Sequence, residues 1–187
     1  MQITSETSKI LFREHEFILK VVKALEFEVG EINRKEIDVV FFEKVVDFIR
    51  NYADKLHHAK EEDILFKEFN VCAEDGGVHC NPVGQMLHEH DDGRGFVKMI
   101  EIGLKQNDKQ KIIEGANGYI RLIRDHIFKE DNILYPMADD ALSDEVKKNM
   151  LNKFKKIDSE KKVAIKRFEK FANEVSGEWF LKKIFLV

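Results

Sequence analysis

The stretch His126-Ile-Phe-Lys-Glu-Asp-Asn-Ile-Leu-Tyr-Pro136 decides how the rest of the chain is read. It sets an imidazole and a carboxylate one helical turn apart, followed by an apolar run and a proline stop. At about 100° per residue, Ile112, Ala116, Tyr119, Ile123, His126, Glu130 and Ile133 fall on one narrow stripe of a single helix. Such a stripe faces a core. Ionisable side chains are costly to bury unpaired, so His126 and Glu130 in the middle of an apolar face need something to pair with or coordinate. A metal ion answers that need. The same pattern stands earlier, in His57-His-Ala-Lys-Glu61-Glu-Asp-Ile-Leu-Phe66. Lys60-Glu61 aligns with Lys129-Glu130 and Ile64-Leu65-Phe66 with Ile133-Leu134-Tyr135, which places His57 opposite His126. A repeated His-x-x-x-Glu on two helices is a recurring way for a bundle core to hold two metal ions.

Working outward, the 187 residues suit one domain with a core that needs no staples. The net charge of −4 comes from 31 basic and 35 acidic residues mixed along the chain. There is no basic nucleic-acid patch, acidic tail or polybasic membrane anchor. Residues 1 to 9 lack the apolar core of a signal peptide, and no stretch reaches the apolar length that spans a bilayer. The expectation is a soluble, cytoplasmic protein with neither nucleic acid nor membrane as a partner. Cys72 and Cys80 are too few for a disulfide framework and are expected to be reduced thiols.

With two prolines, ten glycines and recurring helical periodicity, the composition predicts an all-α chain. Thr4 or Ser5 caps a first helix whose apolar side carries His15. After a break over residues 30 to 35, Asp38 caps a second helix running to about Phe69. On its wheel His57 lies about 90° from the centre of the apolar stripe and His58 nearly opposite it, so His57 is the preferred ligand. His58 and Glu62 read as solvated, and Asp54 as an acceptor for the second ring nitrogen of His57. Asn81-Pro82 opens a third helix, on which His90 faces inward and His88 falls about 160° away. Gly93 and Gly95 mark a bend or a close helix approach there. Asn107-Asp108 separates it from the fourth helix, which ends around Pro136 to Ala141, and Ser143 caps a fifth reaching about Val175. The apolar tail from Trp179 to Val187 is expected to dock on the bundle or on a second copy in a homodimer. Two regions result: a metal-binding bundle over 1–141 and a helical extension over 142–187.

Four helices thus each offer an inward histidine (His15, His57, His90, His126), and two add a glutamate one turn on (Glu61, Glu130). Imidazole suits iron, zinc, copper or nickel, and carboxylates that bridge favour a pair of cations. Tyr119 shares the face of His126 and is read as core with its hydroxyl satisfied, and Arg94 as a salt-bridge partner of Glu61 or Glu130.

On these residues the chain resembles the hemerythrin-like proteins of the HHE cation-binding family. The carriers are His15, the run Asp54 to Phe66, the run Met86-Leu-His-Glu-His-Asp-Asp-Gly-Arg94, and His126 to Pro136. The resemblance implies an antiparallel up-down four-helix bundle around a non-haem di-iron centre, here with an additional C-terminal helix. It implies His15, His57, His90 and His126 as terminal ligands of two iron ions, with Glu61 and Glu130 as bridges. Oxygen-carrying hemerythrins add a fifth histidine from a His-x-x-x-His pair on the third helix and an aspartate five residues after the last histidine. Here Arg94 stands four residues after His90, and Asp131 lies about 100° off the stripe, so Glu130 is preferred. His88, Glu89, Glu36, His79 or a water remain as alternatives for a further ligand. The implied function is binding or sensing of oxygen, peroxide or nitric oxide, or iron handling. The alternatives are a di-iron oxidase or peroxidase, an iron–sulfur-repair-like enzyme, and a structural or regulatory bundle with zinc.

Overall fold

A computed structural model of the chain describes residues 3–76 and 80–185, with side chains described through residue 177. The described residues form six helices and no strand. Helix α1 spans Glu6–Glu31, α2 spans 39–74, α3 spans Val83–Gln106, α4 spans 109–141, α5 spans Asp144–Glu160 and α6 spans Lys162–Phe185. Their starts follow the sequence signals. The side chains of Ser5, Asp38, Asp108 and Ser143 each accept a hydrogen bond from the backbone N–H three residues on, which satisfies donors that a helix start leaves orphaned. The two-residue turn between α3 and α4 is made by Asn107 in the left-handed region (φ 52°), a conformation asparagine tolerates, followed by the Asp108 cap.

Helices α1 to α4 make the antiparallel bundle, and two apolar clusters fill it. One gathers Leu25, Phe42, Phe48, Tyr52, Ile100, Ile112 and Tyr119; the other gathers Leu11, Leu65, Phe66, Phe69, Met86, Leu134 and Tyr135. Each fully buried large apolar side chain contributes about 1.5–3 kcal/mol. The histidines and glutamates singled out in the sequence belong to neither cluster. Close approach of α3 to α4 is made at Gly103, Gly115 and Gly118, where a Cβ would collide with Ile112, Phe96 or Ile100. It is not made at Gly93 or Gly95: a Cβ on Gly93 would be in ordinary contact with Leu122, and one on Gly95 would meet nothing.

Helices α2 and α4 are not uniform. The stretches Ile49–His58 and Glu61–Leu65 in α2, and Glu130–Leu134 in α4, are wound as π-helix, in which the backbone bonds run from i+5 to i. Two of those bonds are Phe66 N–H to Glu61 O and Tyr135 N–H to Glu130 O, so the repeat seen in sequence is a repeat of backbone geometry. The wider turn takes up an additional residue. Hence Ile133, expected on the inward stripe, is 47% exposed, while Leu134 and Tyr135 are buried.

The expected single fifth helix is two, broken at Lys161 (φ −100°, ψ 9°). The break lets α5 place Met150 and Phe154 in the second cluster while α6 places Phe168, Ala172 and Val175 in the first. Cys72 is half-buried and Cys80 exposed, both unbridged. Among the described residues no helix is long and apolar enough to cross a membrane. His79 and the side chains of the apolar tail from Trp179 to Val187 lie outside the described residues.

Candidate metal centre

Helix α1 brings His15, α2 brings His57, His58 and Glu61, α3 brings His90, and α4 brings His126 and Glu130. All seven side chains are buried. They form two adjoining groups, His15, His57, Glu61 and Glu130 in one, and His58, His90 and His126 in the other, each with its ligand atoms within 4.8 Å of one another. Glu130 reaches across both, with Oε2 3.2 Å from His15 Nε2 and Oε1 3.1 Å from His126 Nε2. Glu61 Oε2 also lies between the groups, 3.6 Å from the Nε2 atoms of both His57 and His90. His90 and His126 approach Nε2 to Nε2 at 3.0 Å.

The far side of the rings is as ordered as the near side. His15 Nδ1 lies 2.8 Å from Asp131, His57 Nδ1 3.0 Å from Glu14, His90 Nδ1 2.8 Å from Glu62 and His126 Nδ1 2.9 Å from Glu89. His58 Nδ1 faces Asp54 at 3.5 Å. A carboxylate at Nδ1 fixes the tautomer that leaves Nε2 a lone pair, the usual outer layer of a metal-ligating histidine. Cations stand behind the carboxylates in turn: Arg94 donates to Asp54 (2.8 Å) and Glu62 (2.6 Å), Lys129 donates to Glu89, and Lys60 to Glu14.

Several of these placements differ from the sequence reading. His58 is buried and stacks on His90, ring centroids 3.7 Å apart, where a solvated residue was expected. The expectation rested on an α-helical wheel, and the chain here is π-wound. Neighbouring His57 and His58 thereby both reach the centre, their ring centroids 5.7 Å apart, with His57 against His15 and His58 against His90. Glu62, also expected in solvent, binds His90, and Glu14 rather than Asp54 anchors His57. Arg94 pairs with Asp54, Glu62 and Asp91 instead of Glu61 or Glu130. Of the residues held open for a further ligand, His88 and Glu36 are exposed, and Glu89 is engaged behind His126.

Two tyrosines complete the surroundings. Tyr135 Oη, noted in the sequence only as the counterpart of Phe66, donates to Glu61 Oε1 at 2.5 Å and lies 3.3 Å from His15 Nε2. The i, i+5 spacing from Glu130 carries it there once the turn is π-wound. Tyr119 is buried as expected, yet its hydroxyl has no hydrogen-bond partner.

Burial and neighbouring charges shift the titration of the groups at this centre in opposite directions. Burial pushes the Glu61 carboxyl well above the usual range, and neighbouring Glu130 adds to the push. Burial acts upward on Glu130 as well, but His126 and His15 outweigh it and hold Glu130 low. Burial opposes charge on His126, and Glu130 and Glu89 overcome it, raising its pKa to about 9. Burial drives His58 down to about 3, with His90 reinforcing the effect. The polar atoms left without hydrogen-bond partners include His57 Nε2, both nitrogens of His58, Glu61 Oε2 and both oxygens of Glu130. Orphaned buried polar atoms are rare and costly. Six of them converge on the centre and are metal-ligand types, so the residues there fit a bound cation; others, on Glu28, Tyr52, Tyr119 and Asp158, lie outside the two groups.

Comparison with family models matches residues 7–138 to the hemerythrin HHE cation-binding domain. The chain belongs to this family. The matched span runs from the start of α1 to the end of α4, so the HHE domain contains every residue of the centre, and α5 and α6 lie beyond it. No curated protein and no solved structure matches the chain. In this HHE domain, whose third helix lacks a second inward histidine, His58 on the second helix brings the buried histidines among the described residues to five.

Proposed function

We propose that the chain is a cytoplasmic di-iron protein that binds or senses a small molecule such as oxygen, peroxide or nitric oxide. The observation that carries the reading is the convergence of five buried imidazoles, four of them anchored at Nδ1 by a carboxylate, and two carboxylates that span both groups. His15 and His57 would hold one iron, His58, His90 and His126 the other, with Glu61 and Glu130 shared. A bound iron pair supplies redox change and open coordination positions for a small ligand.

The chain's own residues prepare that chemistry. The Nδ1 carboxylates keep the rings aimed inward, and Tyr135 holds a proton at Glu61 Oε1. A pocket of about 30 Å³ meets His58, His90 and His126 and is otherwise walled in part by Ile49, Val97, Leu122 and Ile123. That is room for roughly one or two water-sized molecules. The lining also includes Arg50, Asp54, Glu89 and Arg94, so the walls are mixed and it is size that restricts the pocket to small guests. Tyr119 lines the same pocket, and its buried hydroxyl has no hydrogen-bond partner.

The test is elemental analysis of protein purified without added metal, with an absorption spectrum before and after air. About two irons per chain and near-ultraviolet bands that change with oxidation state are expected. Zinc would be spectroscopically silent, and finding it, or no metal, would overturn the iron reading.

A further inference from the structure

The cations behind Asp54, Glu62 and Glu89 are Arg94 and Lys129, both inside the HHE domain. Glu14, which carries His57, is held differently. Its partner Lys60 is fully buried, and the Lys60 ammonium also meets Asp158 Oδ1 at 2.5 Å and lies 5.6 Å over the Phe154 ring. Asp158 and Phe154 belong to α5, beyond the matched residues. A continuous chain therefore runs from the extension to the metal centre: Asp158, Lys60, Glu14, His57.

We propose that Asp158 is a positioning residue for the metal centre, holding Lys60 against Glu14 and thereby fixing the Nδ1 side of His57, so that docking of α5 through Asp158 and metal occupancy are coupled. The proposal rests on the metal-binding reading of the site. Its physical basis is the nature of lysine. An ammonium is a point charge on a flexible stem with three donors and no acceptor, so its direction is set by where its anions stand. With Asp158 in place, Lys60 is shared between two carboxylates. Without it, Glu14 is the one carboxylate left to Lys60, and Glu14 must serve both Lys60 and His57 on altered terms. The outer end of the chain is accessible: an open cavity of about 470 Å³ between α1, α5 and α6 is lined by Glu14 and Asp158, with Arg13, Lys155 and Lys166 around them. It has no lining residue in common with the pocket at His58, His90 and His126. The centre is thus approached from one side by a small-molecule pocket and from another by the extension. Coupling of this kind is reciprocal: whatever Asp158 contributes to metal affinity, the metal returns to α5 as stability.

The experiment is a Co²⁺ titration of the metal-free full-length chain against a competing chelator, read by the cobalt absorption. Wild type is compared with Asp158→Asn, Asp158→Glu and Phe168→Ala. Phe168→Ala loosens α6 from Phe48 and Tyr52 without touching the chain of charges. Asp158→Asn is expected to weaken one of two Co²⁺ equivalents by roughly ten- to a hundred-fold, the usual effect of losing an outer partner of a ligand. Asp158→Glu should restore it, and Phe168→Ala should lower the melting temperature while leaving both affinities alone. Hydrogen exchange on the wild type supplies a readout independent of any variant: Co²⁺ should slow exchange of the α5 amides around residues 154–160. Unchanged affinities in Asp158→Asn, an equal loss in Phe168→Ala, or no Co²⁺ effect on α5 exchange would each overturn the coupling while metal binding itself stands. A wild-type chain that takes up no Co²⁺ overturns the metal reading and the coupling together.

Discussion

His58 carries the largest consequence of any single residue. It sits beside His57, is 6% exposed, and has neither ring nitrogen hydrogen-bonded. A buried imidazole kept neutral and facing two other histidines has the protonation state a metal ligand requires. His58→Ala should therefore lower the metal content from about two ions per chain to about one. His88→Ala, on a side chain 77% exposed, should leave the content unchanged. Elemental analysis of the two variants decides it, and retention of both ions in His58→Ala would remove His58 from the ligand set. Most of the centre was legible from residue types and spacing alone: His15, His57, His90, His126, Glu61 and Glu130 meet where the two His-x-x-x-Glu motifs face each other. The carboxylates at Nδ1 were not, because Glu14, Glu62 and Glu89 look in sequence like any other charged residue of a solvated helix face.

At the scale of the element, the tight α3–α4 contact and the π-wound turns set the geometry. A Cβ on Gly115 would sit 2.8 Å from Phe96 O and 3.0 Å from Ile100 N, both backbone atoms that cannot swing aside. Gly115→Ala should cost about 1–3 kcal/mol by overpacking. Gly95→Ala, on an exposed helical site with nothing near its Cβ, should gain about 0.4–1 kcal/mol. For a chain this long each kcal/mol is worth about 2–4 °C, so opposite shifts in melting temperature should separate the two variants. Helix ends were readable from Ser5, Asp38, Asn81-Pro82, Asn107-Asp108 and Ser143, because caps are local chemistry. The phase within α2 and α4 was not, since an added residue per turn leaves no local signature. It shows only in what becomes buried, with Tyr135 turned onto Glu61 and Ile133 turned out. The glycines at residues 93 and 95 left a bend or a close approach open for a related reason: close approach depends on the partner helix, which the pattern of one segment does not contain.

The whole molecule is a bundle with its costliest groups in the middle and an apolar cluster to either side of them, which makes its stability depend on what occupies the centre. In the metal-free chain the folded pKa of His126 is about 9, above its ordinary value of 6.5. The proton it binds therefore stabilises the fold fully below about 6.5, and that contribution is lost as pH rises through 9. His15 is shifted upward as well, through Asp131 and Glu130 acting against burial, and it acts in the same sense. His57 and His58, shifted downward by burial, oppose folding only at pH values below about 6.5, where the unfolded chain would protonate them. Between pH 6.5 and 9 they are neutral in both states and compensate nothing. A bound cation takes the place of the protons on the ligands, so uptake near neutral pH releases protons and removes their titration from the folding equilibrium. Thermal melts of the chelated chain should accordingly fall in temperature from pH 6.5 to 9, whereas melts of the metal-loaded chain should stay level over the same window. Parallel curves for the two forms would show that the buried imidazoles and carboxylates compensate one another without a metal, and the centre would then be a packed polar core.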